Sequence, residues 1–317
     1  MKQLLLSISI SISFFTFADY SMHKDSKAVI DELVNEYGFK ESYVIEVLKD
    51  AKKRNEMLVS VANPAEKTKT WDDYKAIFIK KKRIRDGKKF INDNLKTLER
   101  AEEEFGVPKE VVTAILGVET NYGSNKGRFR VLDSLTTLGF DDPRRSKFFR
   151  RELIEFFLLT RENNLDIKTT KGSYAGAMGY AQFISSSYRA YAVDFDGDGY
   201  VDLFNSVDDA IGSIANYLYV HGWKREGKIV MKAYPNNVRK FYKPHESLTR
   251  FIPLTFNEDG EDLFFIGDDN FRAIAKYNIS DVYAMAVYYL SEELKLFEEV
   301  KNVPPLEIDM TTKKIKL

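Results

Sequence analysis

The segment Val107 to Gly123, VPKEVVTAILGVETNYG, constrains this chain more than any other. Pro108 fits a first helical position, where its missing N–H costs nothing, and Gly123 is a natural stop. Between them Val112, Ile115, Leu116 and Glu119 recur at helical spacing and share one face. That face is apolar except at its last member, so a helix that packs inward takes a carboxyl group with it. Burial disfavours the charged form of a carboxyl. An acid held in this way can protonate a leaving group near neutral pH. On this segment alone the alternative is a helix-end Glu that reaches water or pairs with an Arg.

The 317 residues are enough for two or three domains or subdomains around a sizeable core. Forty-eight basic and 48 acidic side chains cancel, which argues against a general attraction to nucleic acid. With no Cys, disulfides, thiol catalysis, Cys-ligated zinc and a lipid anchor on an N-terminal cysteine are all excluded. His23, His221 and His245 are too scattered to suggest a metal triad. Lys2, the apolar run Leu4 to Phe17 and the small-x-small site Thr16-Phe17-Ala18 predict a signal peptide over 1–18 and export to the periplasm. No second apolar run is long enough to span a bilayer.

Apolar spacing predicts helices over Asp25 to Tyr37 and Glu41 to Arg54. Asn63-Pro64 opens a polar loop, and Thr70 with Asp73 forms a capping box at the start of a longer helical region. That region carries Trp71 and Tyr74, expected in the core. It runs through the basic segment Lys80 to Lys89, an expected solvated face interrupted at Gly87. Asp141-Asp142-Pro143 opens another helix, with Phe149, Leu153, Phe156 and Thr160 on one face. Arg144 and Arg145 fall in its first turn, where the helix end is already positive. Such a pair suits an anionic ligand, or else pairs with Asp141 and Asp142.

Gly172 to Gln182, GSYAGAMGYAQ, has three Gly and three Ala, too few bulky groups for a dense core. Small residues allow close approach to the backbone. Ser173, Tyr180 and Gln182 add hydrogen-bonding groups, which fits the wall of an elongated polar-ligand cleft as well as a plain tight turn. The strongest local motif is Asp194 to Asp208, DFDGDGYVDLFNSVD. Asp194, Asp196 and Asp198 occupy positions one, three and five of an EF-hand-like loop, with Gly199 at six and the Tyr200 carbonyl at seven. Position twelve is Asn205 and not Glu, so Asp202, or Asp208 in a longer loop, must supply the missing charge. Calcium is the expected ion. From Arg225 to about Asp269, short β-prone runs alternate with turn clusters and predict a small β-rich insertion. Pro253 limits one run to an edge strand. Helical order returns at Ser280.

Taken in order, these motifs resemble the lytic murein transglycosylases of the membrane-bound B type, which degrade bacterial peptidoglycan. The resemblance is carried by Gly117-Val-Glu119-Thr-Asn-Tyr-Gly123, Pro143-Arg144-Arg145 and Lys171 to Phe183. It continues through Tyr191-Ala-Val-Asp-Phe, Asn216-Tyr217, His221-Gly-Trp223, Tyr277-Asn278 and Tyr283 to Val287. It implies a mainly α fold: a lysozyme-like core over 106–224 with its EF-hand-like loop at 194–208, a helical domain from 19–105 with 270–317, and a small β domain over 225–269. By position, Glu119 matches the catalytic acid/base. Tyr74, Ser173, Gln182, Phe183, Tyr217, Tyr277, Asn278 and Tyr283 match residues lining the glycan cleft, and Arg144 and Arg145 a basic pair near the stem peptide. Asp194, Asp196, Asp198, the Tyr200 carbonyl and Asp208 match calcium ligands, which favours the lengthened loop.

The implied partner is peptidoglycan, cut at the MurNAc–GlcNAc bond with 1,6-anhydro ends. One acid suffices there because the substrate's N-acetyl and C6 hydroxyl supply the rest. Asp133, Asp141 and Asp142, the nearest downstream carboxylates, offer no evident second partner. The alternatives are a muramidase, a wall-binding protein without catalysis, and an exported calcium sensor.

Overall fold

The computed structural model describes residues 19–234, 252–301, 308–309 and 314–315. The expected signal segment, His245 and most of the tail after Lys301 lie outside these residues. After a 3₁₀ turn at Tyr20–Met22 come α1 (Ser26–Asn35), α2 (Glu41–Asp50), α3 (Asn55–Ala62) and the single turn α4 (Ala65–Thr68). Next are α5 (Trp71–Phe78), α6 (Lys81–Asp93), α7 (Leu95–Phe105) and α8 (Lys109–Thr120). A two-residue strand, β1 (Phe129–Arg130), precedes α9 (Val131–Asp141) and α10 (Ser146–Glu162). Then follow β2 (Lys171–Gly172), α11 (Ser185–Tyr191) and α12 (Val207–Val220). The chain continues through β3 (Val230–Ala233), β4 (Ile252–Glu258), β5 (Glu261–Gly267), α13 (Asp269–Tyr277) and α14 (Asp281–Lys301).

The fold is mainly helical, and α8 is its axis. Every residue of α8 from Glu110 to Gly117 is buried, and α6, α7, α12 and α14 pack around it. At about 1.5–3 kcal/mol for each fully buried aliphatic side chain, Val111, Val112, Ile115 and Leu116 hold its position firmly. Pro108 is the N-cap and not the first helical residue. The helix ends before Gly123, because Asn121 (φ 50) and Tyr122 (φ 58) already turn left-handed. That turn folds the Tyr122 ring back between α6 and α8, where its hydroxyl donates to the Arg83 carbonyl at 3.0 Å. A Cβ on Gly117 would lie 2.7 Å from this hydroxyl, so only Gly fits. Gly87 faces the same ring. It therefore sits inside α6 and does not interrupt it; the break falls at Ile79–Lys80. Lys81, Lys82, Arg85 and Lys89 of α6 are exposed, as expected of a solvated face.

Thr70 caps α5 by accepting from the Asp73 N–H at 3.2 Å. Ahead of α10, the buried Asp142 carboxylate accepts the backbone N–H groups of Arg144 (2.7 Å) and Arg145 (2.8 Å). Those two residues thus precede the first turn of α10 and do not form it, and Asp142 satisfies their backbone amides, not their guanidinium groups. The sheet is antiparallel in the order β3-β5-β4, with Pro253 on the edge strand β4 opposite Ile266. Phe256 packs on Trp71 at 5.0 Å. The Trp71 Nε1 donates to Glu258 at 3.0 Å, which docks the hairpin on α5. Helical structure resumes at Asp269, earlier than Ser280, because Asp268 caps α13 by accepting from the Asp269 N–H.

Candidate active site

Glu119 stands one residue from the C-terminal end of α8, where the helix leaves the core. The residue is half-buried, and its Oε1 accepts a 2.6 Å hydrogen bond from the Tyr283 hydroxyl of α14. Desolvation raises its pKa, the Tyr283 bond lowers it, and the charge of Glu66 raises it again. Desolvation prevails, and the pKa stands at about 7. The carboxyl therefore exchanges its proton near neutrality.

A run of rings backs this acid. Tyr283 stacks on Tyr277 at 6.4 Å, Tyr277 meets Tyr217 at 4.8 Å and Phe183 at 5.6 Å, and His221 lies 3.9 Å over Tyr217. Tyr74, Phe183, Tyr217 and Tyr283 are at most 7% exposed. These four are buried, while Tyr277 and Asn278 are half-buried. The rings also tie the site's elements together. The Tyr277 hydroxyl donates to the Ala181 carbonyl at 2.6 Å, and the Tyr217 hydroxyl to the Lys276 carbonyl at 2.7 Å.

The small-residue segment after β2 doubles back through bridges from Met178 to Gly172 and Phe183. Ser173 Oγ accepts the N–H groups of Ala175 (3.3 Å) and Ala177 (3.1 Å), so its own proton is left to donate. Gln182, at φ 50, spends its amide nitrogen on the carbonyls of Gly179 (2.8 Å) and Lys126 (3.3 Å). Its oxygen is thereby left as the acceptor. Asn278 is held in the same sense, its Nδ2 donating to Glu66 Oε1 at 3.2 Å.

Sequence reasoning missed Glu66. It lies in α4, 53 positions before Glu119 in the chain, within a stretch that reads only as a polar loop. Besides Asn278 it accepts from the Tyr74 hydroxyl at 3.3 Å. The carboxylates that the sequence does suggest are occupied elsewhere. Asp133 pairs with Arg54 and Arg130, Asp141 takes the Tyr20 hydroxyl and Lys53, and Asp142 caps its turn. Arg144 and Arg145 are exposed. The Arg145 guanidinium lies 4.5 Å over the Phe148 ring.

The acidic loop brings together carboxylates that could hold a metal ion. Carboxylate oxygens of Asp194, Asp196 and Asp209 lie within 4.8 Å of one another. Asp208, the residue expected from the sequence, turns instead to the Thr97 hydroxyl. Neighbouring helical residues point about 100° apart, so Asp208 and Asp209 leave the helix start in different directions. Asp209 is buried and accepts the N–H groups of Phe195 (2.7 Å), Asp196 (3.3 Å) and Asp202 (2.7 Å). The signal for it is Ser206-x-x-Asp209: Ser206 caps α12 by accepting the Asp209 N–H at 3.1 Å, which places Asp209 in the first turn beside the loop. Asp198 and Tyr200 lie on the exposed side of the same loop. An all-oxygen set of this kind fits a hard cation such as calcium.

The model of the family described as "Transglycosylase SLT domain" matches residues 21–292. The chain is 36% identical to membrane-bound lytic murein transglycosylase B of Escherichia coli (strain K12) over 306 residues, covering 88% of this chain and 84% of that protein. Among solved structures, lytic transglycosylase SltB1 of Pseudomonas aeruginosa superposes with a TM-score of 0.81 at 38% identity, over 88% of this chain and 99% of that one. Lytic transglycosylase Slt35 of E. coli, solved in complex with calcium, gives 0.78 at 34% identity, over 89% and 96%. Agreement over nearly the whole described fold, and not at one motif, decides the assignment: the chain belongs to the lytic murein transglycosylases, enzymes that cleave peptidoglycan.

Proposed function

We propose that Glu119 is the acid/base of this reaction and that the enzyme cuts the MurNAc–GlcNAc bond by intramolecular transglycosylation. The observation that carries the reading is the Glu119 carboxyl at the end of a buried helix, held by the Tyr283 hydroxyl at 2.6 Å, where desolvation pushes its pKa up to about 7. Protonated Glu119 gives its proton to the glycosidic oxygen, and GlcNAc leaves as the alcohol while the MurNAc N-acetyl group stabilises the positive C1. Glu119, now a carboxylate held by Tyr283, takes the proton of the C6 hydroxyl. The C6 oxygen closes on C1, and the acid is restored. Ser173 as donor, with the oxygens of Gln182 and Asn278 as acceptors, suits the hydroxyl and acetamido groups of the sugar. Positioning of the C6 hydroxyl gives it a large effective concentration over water. Arg144 and Arg145 would meet the acidic stem peptide.

Calcium, when bound, would tie the loop between α11 and α12 together through Asp194, Asp196, Asp198, the Tyr200 carbonyl and Asp209. Export to the periplasm is the location we propose for the mature chain, where its substrate lies. The helical domain at 19–105 with 270–317, the core at 106–224 and the β domain at 225–269 remain the division we propose.

Glu66 favours one rival reading, a muramidase in which a second carboxylate activates water. Digestion of peptidoglycan in ¹⁸O-labelled water separates the two. Anhydro ends free of label are expected by mass spectrometry, and ¹⁸O-labelled reducing ends as the main product would make the enzyme a hydrolase.

The pH profile should follow the acid. A general acid must begin protonated, so kcat/KM on purified peptidoglycan is expected to be flat below pH about 7 and to fall about tenfold per unit above it. A basic limb set near an ordinary carboxyl value would show that Glu119 is not the group that titrates.

A further inference from the structure

We infer that Glu66 is a positioning residue for the lytic reaction: its carboxylate holds the Asn278 amide by the nitrogen, so that the Asn278 carbonyl oxygen is presented to the substrate. The inference rests on the reading above, in which Asn278 lines the glycan cleft.

The argument begins with which atoms can face each other. A carboxylate only accepts hydrogen bonds, so an amide that meets it must turn its nitrogen inward. Glu66 Oε1 accepts from Asn278 Nδ2 at 3.2 Å, across 212 positions of the chain. The planar amide then offers Oδ1 on its far side, as an acceptor for a substrate N–H or O–H. The same oxygen of Glu66 accepts from the Tyr74 hydroxyl at 3.3 Å, which fixes the carboxylate from α5. Tyr74 is almost fully buried, and Asn278 ends α13, so three separate elements meet at this oxygen. Gln182 is oriented by the same logic, with its nitrogen on two carbonyls. The site thus presents two amide oxygens, and Glu66 is what sets the second.

Glu66 is too near Glu119 to act on Asn278 alone. The groups facing Glu119 are Tyr283 of α14, Tyr277 of α13, Tyr74 of α5 and Glu66 of α4, and among them Glu66 alone brings a negative charge that raises the acid's pKa. Removing that charge should move the basic limb of the pH profile down, separately from any effect on Asn278.

The test compares the purified full chain with Glu66→Ala, Glu66→Gln, Asn278→Ala and the double Glu66→Ala/Asn278→Ala, each assayed for kcat and KM on peptidoglycan across pH. Glu66→Ala frees the amide and is expected to lose about tenfold or more in kcat/KM. Glu66→Gln can still turn an oxygen to Asn278, so it should recover most of that loss while its basic limb sits below the wild-type one. Compared on the acidic plateau, below both basic limbs, the double variant should be no worse than Asn278→Ala, because there one residue acts only through the other. Wild-type kinetics in Glu66→Ala, additive losses in the double variant, or a Gln variant as poor as Ala would each overturn the inference. Glu66→Gln is nearly isosteric with the native side chain, so the comparison of pH profiles survives if Glu66→Ala fails to fold. Activity retained by Glu119→Gln would instead remove the functional reading itself, and the Glu66 variants leave that arm untouched.

Discussion

Glu119→Gln is expected to fold normally and to lose lytic activity by about 10²- to 10⁴-fold. The amide is nearly isosteric with the acid, and its oxygen can keep the Tyr283 hydrogen bond seen at 2.6 Å. What it cannot do is give up a proton and take one back. The same variant should also change stability in a pH-dependent way. The folded-state pKa of Glu119 lies above the ordinary value of 4.5, at about 7, so the folded chain binds this proton more tightly than the unfolded chain. The resulting stabilisation is complete below the unfolded value and is lost as pH rises through about 7, a change of up to about 3 kcal/mol. Gln carries no such dependence. The variant should therefore melt a few degrees above wild type at mildly alkaline pH, with the gap closing in acid. Clearing of peptidoglycan at the wild-type rate would mean that another residue is the acid. A melting gap that ignores pH would mean that Glu119 is not held in a desolvated place.

The part of the fold that was legible is the part built from short-range repeats. The apolar spacing of Val112, Ile115 and Leu116 marks α8, and its continuation to Glu119 puts a carboxyl at the helix's C-terminal end. The β-prone runs around Pro253 likewise fall on β3, β4 and β5. Legibility stops where a choice depends on a partner distant in sequence. Gly87 looks like a helix breaker until the Tyr122 ring is placed against it. Arg144 and Arg145 look like a first turn until Asp142 takes their backbone amides. Glu66 carries no periodic signal at all, because α4 is a single turn whose role comes from Tyr74 and from Asn278, 212 positions away. Resemblance proposed the cleft residues by position, but it could not say that Tyr74, Phe183, Tyr217 and Tyr283 are buried while Tyr277 and Asn278 are half-buried.

The acidic loop gives the second large effect, and it discriminates between neighbours. Calcium is expected to raise the melting temperature of the wild-type chain, because an ion bound only by the folded state stabilises it by mass action. Extracellular modules of this kind bind at about 10⁻⁴ to 10⁻³ M. Calcium at about 10 mM, some 10 to 100 times such a constant, would then contribute roughly 1.4 to 2.7 kcal/mol, or a few degrees. Asp208→Ala should keep this shift, since its carboxylate meets Thr97 and not the loop. Asp209→Asn should abolish it. One oxygen of the amide can still accept backbone N–H groups, but the charge and the second ligand oxygen are gone. Asp209→Ala goes further, since it strands the N–H groups of Phe195, Asp196 and Asp202. Of these only the Phe195 N–H is fully buried, and a buried donor left unpaired costs about 1–3 kcal/mol, so this variant should melt below wild type even in chelator, while Asp196→Ala with Asp198→Ala loses the calcium response. Thermal melts with calcium and with chelator read all four variants at once. A wild-type chain indifferent to both would reduce the loop to an acidic turn closed by Asp209, and a shift lost in Asp208→Ala but kept in Asp209→Asn would return the ligand to the residue that the sequence favours.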